Sequence, residues 1–152
     1  MRETNPARVY DCEMIELDRH HSRRKGDLSV VQNGSTLPFD VRRVYYLYDV
    51  PGGESRGGHA HRRLWQLILA VGGSFTVTLD DGTVRRSVTL NRPYHGLLVH
   101  PGIWRTIDDF SSGAVCLVLA SDPYDESEYI RKYSEFLTFR KEIENEIKDS
   151  AL

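Results

Sequence analysis

The chain has 152 residues, enough for one domain (1–152) with a substantial core. Its 20 Lys and Arg against 22 Asp and Glu leave no global basic footprint of the kind that nucleic-acid binding calls for. The apolar runs are too short to span a membrane and the polar N-terminus has no signal-peptide core, so a cytoplasmic protein without nucleic-acid or membrane partners is expected. Cys12 and Cys116 lie far apart without metal-type spacing, and Cys116, inside the apolar run Ala114 to Ala120, reads as a small buried hydrophobe.

Residues 1–7 read as a loose terminus, Val9 to Leu17 as a strand and His20 to Gly26 as a polar turn. Leu28 to Val31 forms a short strand. Val41 to Val50, rich in valine and tyrosine, favours an extended chain until Pro51-Gly52-Gly53 breaks it. Leu64 to Val71 is almost continuously apolar, as in a strand covered on both faces. Ser74 to Leu79 alternates, Asp81-Gly82 suits a tight turn, and Thr83 to Leu90 returns. His95 to Val99, Ile103 to Ile107 and Ala114 to Ala120 give three more strands. Helical spacing starts only near the end: Asp122, Ser127 and Glu128 surround a helix start, and from Tyr129 apolar residues recur through Ile147. These patterns predict an all-β jelly-roll barrel or sandwich with a helical tail over about 125–149.

Within it, Gly53 to Gln66 stands out. His59 and His61, two apart on a strand, share one face after a glycine-rich bend. The spacing Gly53, His59-Ala60-His61, Gly72 or Gly73 matches the first motif of the cupin superfamily. The motif's glutamate slot, however, falls on Trp65 or Gln66. Its second histidine, after a Pro-x-Gly turn, falls near Arg105 or Thr106. Two good ligands are too few for a divalent site, so no metal and no cofactor are expected. Paired imidazoles suit proton transfer instead. Tyr46 and Tyr48, on one face of the preceding strand, are placed to donate into the same pocket. Arg56 is placed to stabilise an oxyanion or a phosphate.

The combination of Arg43-Val44-Tyr45-Tyr46, Arg56-Gly57, His59-Ala60-His61, Gln66, Asp80-Asp81-Gly82, Trp104, Asp109 to Ser112, Val118 to Asp122, Tyr124-Asp125-Glu126 and Tyr129-Ile130-Arg131 resembles the dTDP-sugar 3,4-ketoisomerases of the WxcM-like cupin family. The likeness runs from about Phe39 to Phe136. It implies a metal-independent isomerase converting dTDP-4-keto-6-deoxy-D-glucose to a dTDP-3-keto-6-deoxyhexose. The expected catalytic residues are His59, His61, Tyr46 and Tyr48, with substrate contacts at Arg56, Arg63, Gln66, Trp104 and Arg105. Trp104 serves core packing equally well. Arg105 stands where the family often has a histidine. The resemblance also implies a homodimer with exchanged N-terminal strands, Val9 to Leu17 completing the other subunit's sheet. The rival readings are a sugar-nucleotide 3,5-epimerase, a non-catalytic cupin that binds a sugar nucleotide, and a metal-dependent oxygenase.

Overall fold

In the computed structural model, which describes residues 6–150, two five-stranded antiparallel sheets lie face to face. The first has the order β1 (Met14–Glu16), β9 (His95–Val99), β6 (Gln66–Gly72), β11 (Val115–Ala120), β4 (Arg43–Leu47). The second runs β12 (Tyr129–Ile130), β5 (Arg56–His61), β10 (Trp104–Asp108), β7 (Phe75–Asp80), β8 (Arg85–Leu90). A separate hairpin joins β2 (Arg19–Ser22) to β3 (Gly26–Ser29), and the C-terminal helix α1 spans Tyr133–Ser150. The architecture is a β-sandwich with one C-terminal helix, as the strand pattern predicts. Among the described residues no helix is long and apolar enough to cross a membrane.

Alternation explains the layers. Phe75, Val77 and Leu79 of β7 meet Ile68 and Ala70 of β6 and Cys116 and Val118 of β11 in the core between the sheets. β6 is buried on both faces because Leu67 and Leu69 pack outward beneath the N-terminal segment, against Leu17, Leu37 and Phe39. Helix α1 covers the outer side of the second sheet with Phe136, Leu137 and Phe139. Both cysteines are buried, and burial raises their thiol pKa values to about 11 for Cys12 and about 12 for Cys116.

Three segments depart from the sequence expectation. Val9–Asp11 is a 3-10 turn, and only Met14–Glu16 is a strand. The Asp11 carboxylate accepts the Arg8 N–H at 2.6 Å and Asp81 accepts the Val9 N–H at 3.1 Å, so side chains take the donors that a strand would use. The His20 to Gly26 stretch belongs to the β2–β3 hairpin rather than to a loop, with His21 Nδ1 and Asp27 Oδ1 2.5 Å apart across it. Thirdly, the helix begins at Tyr133, not near 125. Glu126–Glu128 is a 3-10 turn capped by Asp125, and Tyr129–Ile130 pairs with β5. The reading of residues 1–7 as a loose terminus lies largely outside the described residues.

The β6–β7 turn has no room for a side chain at Gly73. Its φ is +61°, and a Cβ there would stand 2.8 Å from Ala114 Cα and against Ser111 Oγ. Gly73→Ala is therefore expected to lower unfolding stability by about 2–4 kcal/mol, read as a shift of the urea midpoint at unchanged slope. A loss below about 0.5 kcal/mol would mean that the turn gives way easily.

Candidate active site

At one end of the sandwich the inward-facing positions change from apolar to polar. On β5 they are Gly57, His59 and His61, and the two imidazoles are 6% and 5% exposed. β10 sets Arg105 directly beside His59 in the ladder, only 2% exposed. From the opposite sheet come Tyr45 on β4 and Gln66 on β6. Tyr129 on β12 stands beside His61 in the ladder. Gly57 makes the arrangement possible: its φ is +81°, and a Cβ would come within 3.1 Å of Arg105 Nη1.

His59 Nε2 and His61 Nε2 are 3.1 Å apart, so one donates and the other accepts. The rings are nearly perpendicular, and Tyr129 packs on both, with centroids 5.1 Å from His59 and 4.5 Å from His61. Burial and, next, the charge of Arg105 hold both imidazoles well below their usual pKa, so both are neutral at pH 7. Arg105 Nη2 donates to the Tyr45 hydroxyl at 2.7 Å, and Gln66 Nε2 donates to the same oxygen at 3.0 Å. Arg105 Nε and Nη1 and His61 Nδ1 are sealed from solvent without a partner. Arg105 has no carboxylate partner among the described residues. It is a buried cation poised for a bound anion or carbonyl oxygen.

The site opens into a cavity of about 530 Å³ lined by His59, Arg105, Tyr45, Arg43, Arg56, Tyr124, Tyr129 and Arg131, among others. Arg43 Nη2 donates to the Tyr129 hydroxyl at 3.3 Å, and its guanidinium lies over the rings of Tyr45 and Tyr124.

The structure brings together His59, His61, Gln66, Arg105 and Arg56 from the sequence expectation. It does not bring Tyr46 and Tyr48 to them. On β4 the inward positions are Arg43, Tyr45 and Leu47, which leaves Val44 and Tyr46 outside; Tyr46 and Tyr48 are 59% and 61% exposed. The sequence reading chose the wrong parity, because Val44 and Leu47 are both apolar and either could have marked the core face. Trp104 points to the other side of β10, edge-on to Tyr133 and packed on Phe136 beneath α1; it serves packing rather than the cavity. Arg63, in the turn after β5, faces solvent and pairs with Asp125 and Glu128.

The sequence pattern assigns no site role to Tyr129, Arg131 or Arg43, and Tyr129 and Arg131 fall within its helical spacing. The competing signal was Glu128, a charged residue on what would have been an early helical turn: its buried carboxylate accepts the N–H groups of Arg63 and Leu64 at 2.5 and 2.8 Å and ties the segment to β5. Among the described residues no group of three or more His, Cys, Asp or Glu side chains is placed to hold a metal ion.

The family model described as "FdtA: WxcM-like, C-terminal" matches residues 10–141. The TDP-4-oxo-6-deoxy-alpha-D-glucose-3,4-oxoisomerase of Aneurinibacillus thermoaerophilus is 44% identical over 119 residues, 78% of this chain and 86% of that protein. A 3,4-ketoisomerase structure from Helicobacter canadensis superposes with a TM-score of 0.83 at 41% identity, covering 86% of this chain and 98% of that one. The sugar 3,4-ketoisomerase of Thermoanaerobacterium thermosaccharolyticum, solved in complex with TDP, gives 0.85 at 34% identity over 89% of this chain and 98% of that one.

The neutral histidine pair has a thermodynamic signature. In the unfolded chain each imidazole titrates near 6.5; in the fold, well below. The unfolded state then binds more protons in that window, so stability is full above about pH 7 and falls as pH drops through 6.5 toward 5, before carboxylates contribute. Urea midpoints over pH 5–7 are expected to show a slope of about 1 kcal/mol per pH unit for each histidine. His61→Asn should flatten it, and an unchanged slope in that variant would remove the pair as the cause.

Proposed function

The chain belongs to the FdtA, WxcM-like family, and we propose that it works as a single cupin domain, a sugar-nucleotide 3,4-ketoisomerase that converts dTDP-4-keto-6-deoxy-D-glucose to a dTDP-3-keto-6-deoxyhexose by acid–base chemistry. The observation that carries this reading is the buried, neutral, mutually hydrogen-bonded histidine pair beside an unpaired arginine. A 4-ketone acidifies the proton on carbon 3. Removing it needs a neutral base out of water, and the enediolate that forms needs cationic or hydroxyl donors already in place.

His59 is the base. It lines the cavity, and its Nδ1 has no protein partner among the described residues and is not sealed as His61 Nδ1 is. When Nδ1 takes the proton from carbon 3, the Nε2 proton can lean toward His61 Nε2, which spreads the new charge over both rings. The Tyr45 hydroxyl, held by Arg105 Nη2 and Gln66 Nε2, faces the enediolate oxygens, with the Arg105 charge behind it. The hydroxyl proton on the carbon-3 oxygen moves to the carbon-4 oxygen, and His59, whose Nδ1 proton exchanges with solvent through the open cavity, delivers a proton to carbon 4. The ketone then stands at carbon 3, and no proton has been gained or lost. Tyr45 takes the donor role that the sequence assigned to Tyr46 and Tyr48. Arg56 binds at the cavity mouth.

Two copies are proposed to form a homodimer that exchanges N-terminal elements. β4 is a sheet edge with one neighbour, and Val44, Tyr46 and Tyr48 line its outer side. Beside it, a groove of about 860 Å³ runs between the β2–β3 hairpin and the outer face of the first sheet. β1 already pairs with β9 of its own chain, so the exchanged element is the hairpin, whose Leu28 is 57% exposed. Such a step in nucleotide-sugar synthesis would take place in the cytoplasm.

Incubation with dTDP-4-keto-6-deoxyglucose in deuterated water, followed by NMR, should show a 3-keto product with solvent label at carbon 4; label at carbons 3 and 5 would point to epimerisation instead. His59→Asn is expected to cost about 10²–10⁴ in kcat. Tyr45→Phe should cost about tenfold or more, and Tyr46→Phe less than twofold; the reverse order would return the donor role to the outer tyrosines. Sedimentation equilibrium should give twice the chain mass, and Leu28→Glu should shift it toward one.

A further inference from the structure

The strap that leads from β11 to α1 crosses the cavity mouth and carries an ion pair that the chemistry above does not use. Arg131 Nε and Nη2 donate to the two oxygens of Glu126 at 2.7 and 2.9 Å, a bidentate fork that fixes the guanidinium plane. The Tyr124 hydroxyl donates to the same carboxylate. The guanidinium carbon lies 4.4 Å from the centroid of the Tyr129 ring, and that ring packs on both histidines. A ring beneath and a carboxylate along one edge hold the cation in one orientation. Arg131 Nη1 has no protein partner among the described residues, and Arg131 lines the cavity whereas Glu126 does not.

Fold stability gives little reason for this arrangement. The two side chains are 52% and 56% exposed, and an ion pair of that kind contributes about 0–1 kcal/mol. The nucleotide gives a better one. If carbons 3 and 4 of the sugar meet His59 at the floor, the diphosphate attached at carbon 1 lies outward, at the mouth. It is an anion and requires cations there. A bare carboxylate would repel it, but both Glu126 oxygens are occupied by Arg131 and Tyr124.

The geometry points to Glu126 as a positioning residue that holds Arg131 at the cavity mouth to bind the diphosphate of the substrate. This rests on the sugar-nucleotide reading above. Glu126 acts on ground-state binding through Arg131 and touches no reacting atom.

The test is calorimetric titration of wild type, Glu126→Gln and Arg131→Lys with dTDP and, separately, with thymidine, alongside kcat and KM for the keto sugar. Both variants are expected to weaken dTDP binding about tenfold, about 1.4 kcal/mol, to leave thymidine binding unchanged, and to raise KM with little change in kcat. Glu126→Asp, which keeps the charge, should recover part of the loss. Unfolding midpoints should match wild type. Equal dTDP affinity in wild type and both variants overturns the assignment while leaving the ketoisomerase reading intact. Equal weakening of dTDP and thymidine overturns it too, since the effect would then not be on the diphosphate. A wild type that binds no dTDP removes both.

Discussion

Arg105 carries its charge into the interior of the sandwich, where no carboxylate among the described residues meets it, and much of the surrounding structure can be understood as a response to that. An uncompensated buried cation costs several kcal/mol, and its charge disfavours protonation of the imidazoles beside it. The Tyr45 hydroxyl accepts one of its N–H groups, Gln66 steadies that hydroxyl, and Gly57 lacks the Cβ that would press on the guanidinium. His59 and His61 answer electrostatically by staying neutral. The same circumstance suits the proposed catalysis: a neutral imidazole pair and a buried cation are held together before any substrate arrives.

The two sheets divide the labour. The second sheet, through β5 and β10, supplies both histidines and Arg105. The first supplies Tyr45 and Gln66, which face them across the core. The core of Phe75, Val77, Leu79, Ile68 and Val118 fixes the spacing between the sheets, so packing far from the site sets the distance between the imidazoles and the Tyr45 hydroxyl. Glu128 completes the wall: its buried carboxylate ties the strap at 124–131 to the turn after His61, which places Tyr129 against both imidazoles. One buried acid thus delays the start of the helix to Tyr133 and closes the pocket.

The site was partly legible. His59 and His61 were visible because a two-residue spacing on a strand means one shared face, and Arg105 and Gln66 were visible as the positions where a metal-binding pattern lacks its ligands. The choice between Tyr45 and Tyr46 was not legible. β4 has an apolar residue on each face, and one position of parity separates a cavity hydroxyl from an exposed ring. Tyr129 was hidden for a different reason. Its apolar neighbours fit a helical period, while the contacts that override that period come from a turn more than sixty residues earlier, at Arg63 and Leu64.

The sequence by itself determined the class of fold, most of the strands, the place of the histidine pair and, through the combination of motifs that it shares with the WxcM-like ketoisomerases, the kind of chemistry. These are local matters: alternation, turn residues and short spacings depend on backbone geometry a few residues at a time. Only the tertiary structure decided which tyrosine faces the histidine pair, that Trp104 packs under α1, that Arg105 is buried without a counter-ion among the described residues, and that residues 124–131 wall the cavity. Those facts depend on which faces of distant strands meet, and a buried side chain has its character set by neighbours that the chain brings to it only by folding.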